Sequence, residues 1–197
     1  MMKKILLIMV CVLMIPMSVF AEVQFNTTLP DSGSVDSRPK VAFIFLNNAK
    51  TTYDNELDQM VMDTLPNALK PKYVVVPGTK YVELLQKSGI VDITTAERSD
   101  ITDVFKGEDI AYVLYAELQP FVRKQTVTFF TVGMDMTAIL PLKIIDLQTG
   151  KYLYNGKMTE FARDSTMFGG VGNKSVAVKA LQAALDKATA VIGTRLP

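Results

Sequence analysis

The sequence predicts an α/β domain built on a mixed sheet flanked by helices. Three features carry that expectation: a continuous apolar run at 41–46 (VAFIFL), an amphipathic helical pattern directly after it, and a second half of strand-like segments joined by short turns. The apolar run has β-branched and aromatic residues at every step, as in a strand covered on both faces, so it belongs in the middle of the sheet.

After a polar loop, Leu57, Met60, Val61, Leu65, Ala68 and Leu69 recur at helical spacing, which predicts a helix over 53–69 with Pro66 disturbing its last turn. Residues 73–77 (YVVVP) form a second short strand. A strand, helix, strand order of this length favours a parallel βαβ unit. A short helix over 79–88 follows, with Tyr81, Leu84 and Leu85 inward and Gly89 closing it. Thr94 and Glu97 fit a capping box for a third helix that buries Ile101, Val104 and Phe105.

The strand-like segments of the second half are 110–118, 126–132, 134–146 and 151–161, and together they predict an antiparallel meander. The turn at 146–151 is the clearest, because Gly150 can take the positive φ that a bulged hairpin loop requires. Asn155 and Gly156 are read as a bulge, since turning there would leave strands of only about four residues. A long helix over 173–192 closes the chain, with Val178, Leu181, Leu185, Ala188 and Ile192 on one face and Gly193 at its end.

The N-terminus has the three-part layout of a secretory signal: Lys3 and Lys4, an apolar run over 5–15 broken by Pro16, and a small-residue site ending at Ala21. The run is shorter than the roughly 20 residues that span a bilayer. The expected organisation is therefore a signal at 1–21, a flexible Ser, Asp, Pro and Gly-rich arm at 22–39, and a single domain at 40–197 in the periplasm or cell envelope. No transmembrane helix is expected once the signal is removed. Ile8, Met9 and Val10 put no small residue directly before Cys11, so a lipid anchor is not expected.

Removing the signal takes Lys3 and Lys4 from a chain with 21 basic and 20 acidic side chains and leaves one acid in excess. That balance gives no reason to expect nucleic acid or an anionic surface as partner. Past Ala21 there is no Cys, His or Trp, which removes Ser-His-Asp and Cys-His catalysis, disulfides and ordinary zinc sites. No cofactor is expected.

Three features remain that could carry chemistry or contact. Asp54, Glu56, Asp58 and Asp63 fall on the polar side of the first helix, either a solvated face or the basis of a carboxylate-dependent enzyme. The loop from Gly169 to Ser175 comes close to a phosphate-binding loop, but Asn173 intrudes before Lys174, and the alternative is a glycine loop capped by Asn173. Phe121, Arg123, Lys124, Phe129 and Phe130 mark a candidate interaction arm. It is either a hairpin with partly buried aromatics or an exposed arm that pairs with a partner's sheet edge or touches a membrane.

The segments 110–118 (IAYVLYAEL) and 142–151 (LKIIDLQTGK), with Asp146, Thr149 and Gly150, resemble the CsgG-like envelope superfamily. That group holds the curli secretion channel, lipoprotein activators of penicillin-binding proteins and the N-terminal domain of the Tol translocation protein. The resemblance covers nearly all of 40–196 and implies non-enzymatic work: binding, scaffolding or channel formation. The sequence departs from it in lacking a lipidated N-terminal cysteine. It also offers barely one strand of the 9 to 11 or so residues a membrane barrel needs. The function expected is that of an exported envelope accessory or adaptor that binds another protein, with a self-assembling ring or pore component as the alternative.

Overall fold

The apolar run at 41–46 lies in β1 (Lys40–Asn47), the strand on which the sheet is organised. The structure is a computed structural model, which describes residues 36–90, 96–167 and 170–197. The segment 1–21 expected to be a signal, residues 22–35, Thr94 and Gly169 lie outside the described residues. β1 pairs in parallel with β2 (Val74–Pro77) on one side and with β3 (Tyr112–Leu118) on the other. Being flanked by strands in the plane and covered on both faces explains why nearly every position of β1 is apolar.

Among the described residues, six strands form one mixed sheet in the order β2-β1-β3-β5-β4, with β6 on the other side of β5. β5 (Val132–Asp146) and β6 (Lys151–Thr166) make a long antiparallel hairpin, and β4 (Val122–Val127) pairs with the first half of β5. The predicted parallel start and antiparallel finish are both present. The second strand of the meander differs from expectation: it occupies Val122–Val127, and the predicted strand at 126–132 contains the turn instead.

The helices sit on opposite faces. α1 (Asp54–Leu69) and α4 (Asn173–Arg195) cover the face carrying Val41, Phe43, Leu114, Ala116, Leu140 and Leu142. α2 (Thr79–Lys87) and α3 (Arg98–Val104) cover the face carrying Ala42, Ile44, Val113, Tyr115 and Ile145. The second cover ends there. On β5 the alternate residues Asp135, Thr137, Ile139, Pro141 and Lys143 are only half-buried, whereas Met134, Met136, Ala138, Leu140 and Leu142 are buried. The molecule thus has three layers at the β1 end and two along the β5–β6 hairpin.

Local details depart from expectation at several points. Leu84 is exposed, and only Tyr81 and Leu85 of α2 are buried, because the short helix presents a single narrow stripe. α3 is capped by Glu97, whose N–H donates to Asp100 Oδ2 at 2.8 Å, so the capping box lies one turn later than the Thr94–Glu97 pairing. The N-cap of α4 is Gly172, with Asn173 already helical, and α4 runs through Gly193 to Arg195. Gly156 stays in the β5–β6 ladder opposite Leu142, and the register shift falls between Ile144 and Ile145, where Leu153 is the extra residue. The Tyr154 ring leans over Gly156, where a Cβ would lie 2.6 Å from its hydroxyl, which accounts for the glycine without a bulge.

Candidate functional site

The β4–β5–β6 segment is an arm because β3 and β4 share one edge of β5. β3 pairs with residues 142–146 and β4 with residues 132–137. Between them Gln119 N–H donates to Ile139 O at 3.0 Å, and Pro120 has no N–H to continue the ladder. The pairing of β1 with β3 stops at Asn47 and Leu118. Past that point no described strand lies outside β4, and all six of its residues are exposed. On the opposite side, β6 pairs only with β5.

The inner face of the arm is anchored to the body. Met134, Met136, Val176 and Ala177 form a buried cluster, with Phe121, Tyr53 and Ala162 packed against it. Phe121 is therefore separated from the other members of the predicted interaction set: it faces inward and fastens the arm. Phe129 and Phe130 lie at the far end, 93% and 72% exposed, and the two rings meet edge to face at 4.9 Å. Arg123 and Lys124 project from β4 between them and the body.

The outer face carries rows of paired side chains across the three strands. Val122, Thr137 and Phe161 make one row, and Lys124, Asp135 and Arg163 the next. Arg163 grips Asp135 in a fork, Nε to Oδ1 at 2.6 Å and Nη2 to Oδ2 at 2.7 Å. This guanidinium holds the Asp135 carboxyl below the ordinary carboxylate range, and the carboxylate in turn raises Arg163. Asp164, one residue on and facing α4, is lowered by its bond with Lys179 and by the Ser165 N–H. Lys187 of α4 bonds Glu160. The charges of the outer half of β6 are thus engaged within the chain.

The other candidate residues are dispersed. Asp54 Oδ1 accepts from the Thr51 N–H at 2.9 Å and the Thr51 hydroxyl at 2.7 Å, shaping the turn into α1. Glu56 pairs with Lys174. Asp58 Oδ1 accepts from Asn47 Nδ2 at 2.6 Å. These three carboxylates thus each have their own structural partner, Asp63 lies exposed on the same helix, and no group of three or more His, Cys, Asp or Glu able to hold a metal is found among the described residues. Lys174, the lysine of the glycine loop, turns to Glu56, and the Ser175 hydroxyl donates to Gly172 O at 2.9 Å.

Asp146, Thr149 and Gly150 make a turn. Asp146 Oδ1 accepts from the N–H groups of Gln148 at 2.8 Å and Thr149 at 3.2 Å, and Gly150 takes φ +63°. Their placement is what an Asx-type turn needs to join β5 to β6.

Two features escaped the sequence reading. Glu117, at the end of β3, is the one buried charged side chain among the described residues, accepting from Asn48 Nδ2 at 3.0 Å and the Tyr115 hydroxyl at 3.2 Å. It ties the loop after β1 to β3, alongside the Asn48 N–H to Leu118 O bond of 2.8 Å. The second is the outer side of β6, a strand of sixteen residues along which no other described strand pairs. Alternation at 151–166 signals a strand, but no local pattern reports how many neighbours a strand has.

No protein-family model matches the chain, and no curated protein does. Among solved structures the chain is similar to the hypothetical protein CT253 from Chlamydia trachomatis, at 8% identity over 79% of this chain and 98% of that one, with a TM-score of 0.47. It is similar to lipoprotein GNA1162 from Neisseria meningitidis at 16% identity, covering 76% and 99% of the two chains with a TM-score of 0.40. It is also similar to the C-terminal domain of LpoB from Salmonella enterica at 15% identity, covering 61% and 81% with a TM-score of 0.33.

Proposed function

We propose that the chain is an exported, non-enzymatic component of the cell envelope that binds another protein, and that it does so by accepting a strand along the outer edge of β6. The observation that carries this reading is the length and chemistry of that edge. β6 has sixteen residues, and among the described strands it pairs with β5 alone. In an antiparallel ladder alternate residues turn their N–H and C=O away from the neighbour, so about eight residues offer both groups outward.

Edges that resist association are short or carry proline or unpaired charge. β6 contains no proline, and in its outer half Glu160, Arg163 and Asp164 are engaged by Lys187, Asp135 and Lys179, which leaves the exposed Lys151 and Lys157 to the other half of the strand. The resemblance of 110–118 and 142–151 to the CsgG-like envelope superfamily supports the same class of work. The described residues contain no helix long and apolar enough to cross a membrane.

A photocrosslinking residue introduced at exposed Thr159 of the full chain, expressed in its native host, tests this. The expected result is an adduct with one other protein, and none from the same residue placed at Gln86 on α2. No adduct at Thr159, or equal adducts at both positions, would contradict the reading.

A second copy of the chain is the competing occupant, favoured by one observation: β4 is also open and lies on the opposite side of β5. β6 of one copy can meet β4 of the next in a head-to-tail contact, which closes into a ring or runs on as a filament. An adduct of twice the chain's mass in the same experiment selects that reading.

A further inference from the structure

The end of the arm has a chemistry of its own. Val127 is 68% exposed and Met167, brought alongside by β6, is 72% exposed, beside the Phe129 and Phe130 pair. Residues 125–134 (QTVTFFTVGM) carry no charge. A solvated hairpin turn draws on Gly, Asn, Asp or Pro; this one is Thr-Phe-Phe-Thr.

The two threonines that flank the tip also close polar groups on each other. Thr128 N–H donates to Thr131 O at 2.8 Å, Thr131 N–H donates to Thr128 Oγ1 at 3.0 Å, and the two hydroxyls share a bond of 2.7 Å. Internal satisfaction of this kind is what a non-aqueous surround demands of backbone.

Charge begins behind the tip. Arg123 and Lys124 occupy adjacent positions of β4, so they project from the two faces of the arm. Lys124 lies three residues before Val127, roughly 10 Å along the strand. Neither cation forms an ion pair among the described residues. Asp135, the acid opposite Lys124, and Asp164 of the neighbouring row are paired with Arg163 and Lys179. An apolar end of two aromatic rings with cations set back by about 10 Å on both sides matches the depth of the headgroup layer above the acyl boundary.

We propose that the tip formed by Val127, Phe129, Phe130 and Met167 enters an anionic lipid surface, with Arg123 and Lys124 meeting the headgroup phosphates. A pocket on a protein would accept the two rings but would make no use of the cation spacing or the closed turn. The surface is separate from the β6 edge, so failure of either assignment leaves the other standing.

The chain contains no tryptophan, which makes a local reporter possible. The full chain carrying Phe130→Trp is mixed with vesicles of phosphatidylethanolamine and phosphatidylglycerol. Its emission should move to the blue and iodide quenching should fall about threefold, as for an indole held at the membrane interface. Phe161→Trp, on the same arm but opposite Thr137, should show neither change. Adding Phe129→Asp to the first variant should abolish the shift, and adding Arg123→Gln with Lys124→Gln should weaken vesicle affinity about tenfold, as would raised salt.

Absence of the shift, or a shift untouched by Phe129→Asp, overturns the proposal. So does a blue shift that follows protein concentration in the absence of vesicles, which would assign the tip to a second copy.

Discussion

Replacing Leu140 by alanine is expected to lower the free energy of unfolding by about 2–5 kcal/mol, read as a shift of the urea midpoint at constant slope. Leu140 is fully buried at the middle of β5, opposite Met158, in the cluster that joins the sheet to α1 and α4. β6 on one side and, on the other, β3 and β4 joined by the Gln119 to Ile139 bond hold β5 in place, so the cavity cannot collapse. Ile139→Ala, one residue away, provides the contrast. Ile139 faces the side of β5 that α2 and α3 leave uncovered and is only half-buried, so its truncation should cost less than about 1.5 kcal/mol. Equal effects at the two positions would contradict the two-layer account of the hairpin.

Gly78→Ala is expected to destabilise the fold by about 3 kcal/mol, at the upper end of what overpacking costs. The reason is space: Gly78 sits at φ −85°, open to any residue, but an added Cβ would lie 2.5 Å from Phe43 O and against the Ile44 side chain. The Gly78 N–H already donates to that same oxygen at 2.7 Å. β1 cannot retreat, because β2 and β3 hold it from both sides. Gly193→Ala should act in the opposite sense. It lies inside α4 with nothing within 4 Å of a new Cβ, so alanine should add about 0.5–1 kcal/mol through helix propensity. Thermal or chemical denaturation of the pair separates a steric glycine from a dispensable one.

The parts of the fold that could be read from the residues are those whose burial leaves a local pattern. β1 is covered on both faces and reads as an unbroken apolar run, α1 and α4 each bury one stripe, and the turn at Asp146 to Gly150 has an acceptor and a positive-φ glycine where a turn needs them. The arm lacks such a pattern. β4 buries nothing, so VRKQTV has no apolar period, and its hairpin is closed by threonine hydroxyls rather than by glycine or asparagine. Gly133 drew the expected turn to the wrong side of Val132 for that reason. Phe121 was grouped with Phe129 and Phe130 by composition, and only the packing of Met134 and Met136 against α4 separates the aromatic that anchors from the two that project. The open side of β6 is a property of strand order, and Glu117 is buried by a loop and a neighbouring strand, so neither is encoded in nearby residues.

Amide hydrogen exchange along β6 in the isolated full chain is the direct test of contact through an open edge. Up to Asp164, outward-facing amides of β6 have no strand to bond, whereas those facing β5 are held by the ladder. The account predicts fast and slow exchange at alternate residues from Tyr154 to Asp164, past the register shift, unchanged on dilution. Uniform protection that persists on dilution would mean that the edge is already occupied within the chain, and would contradict it.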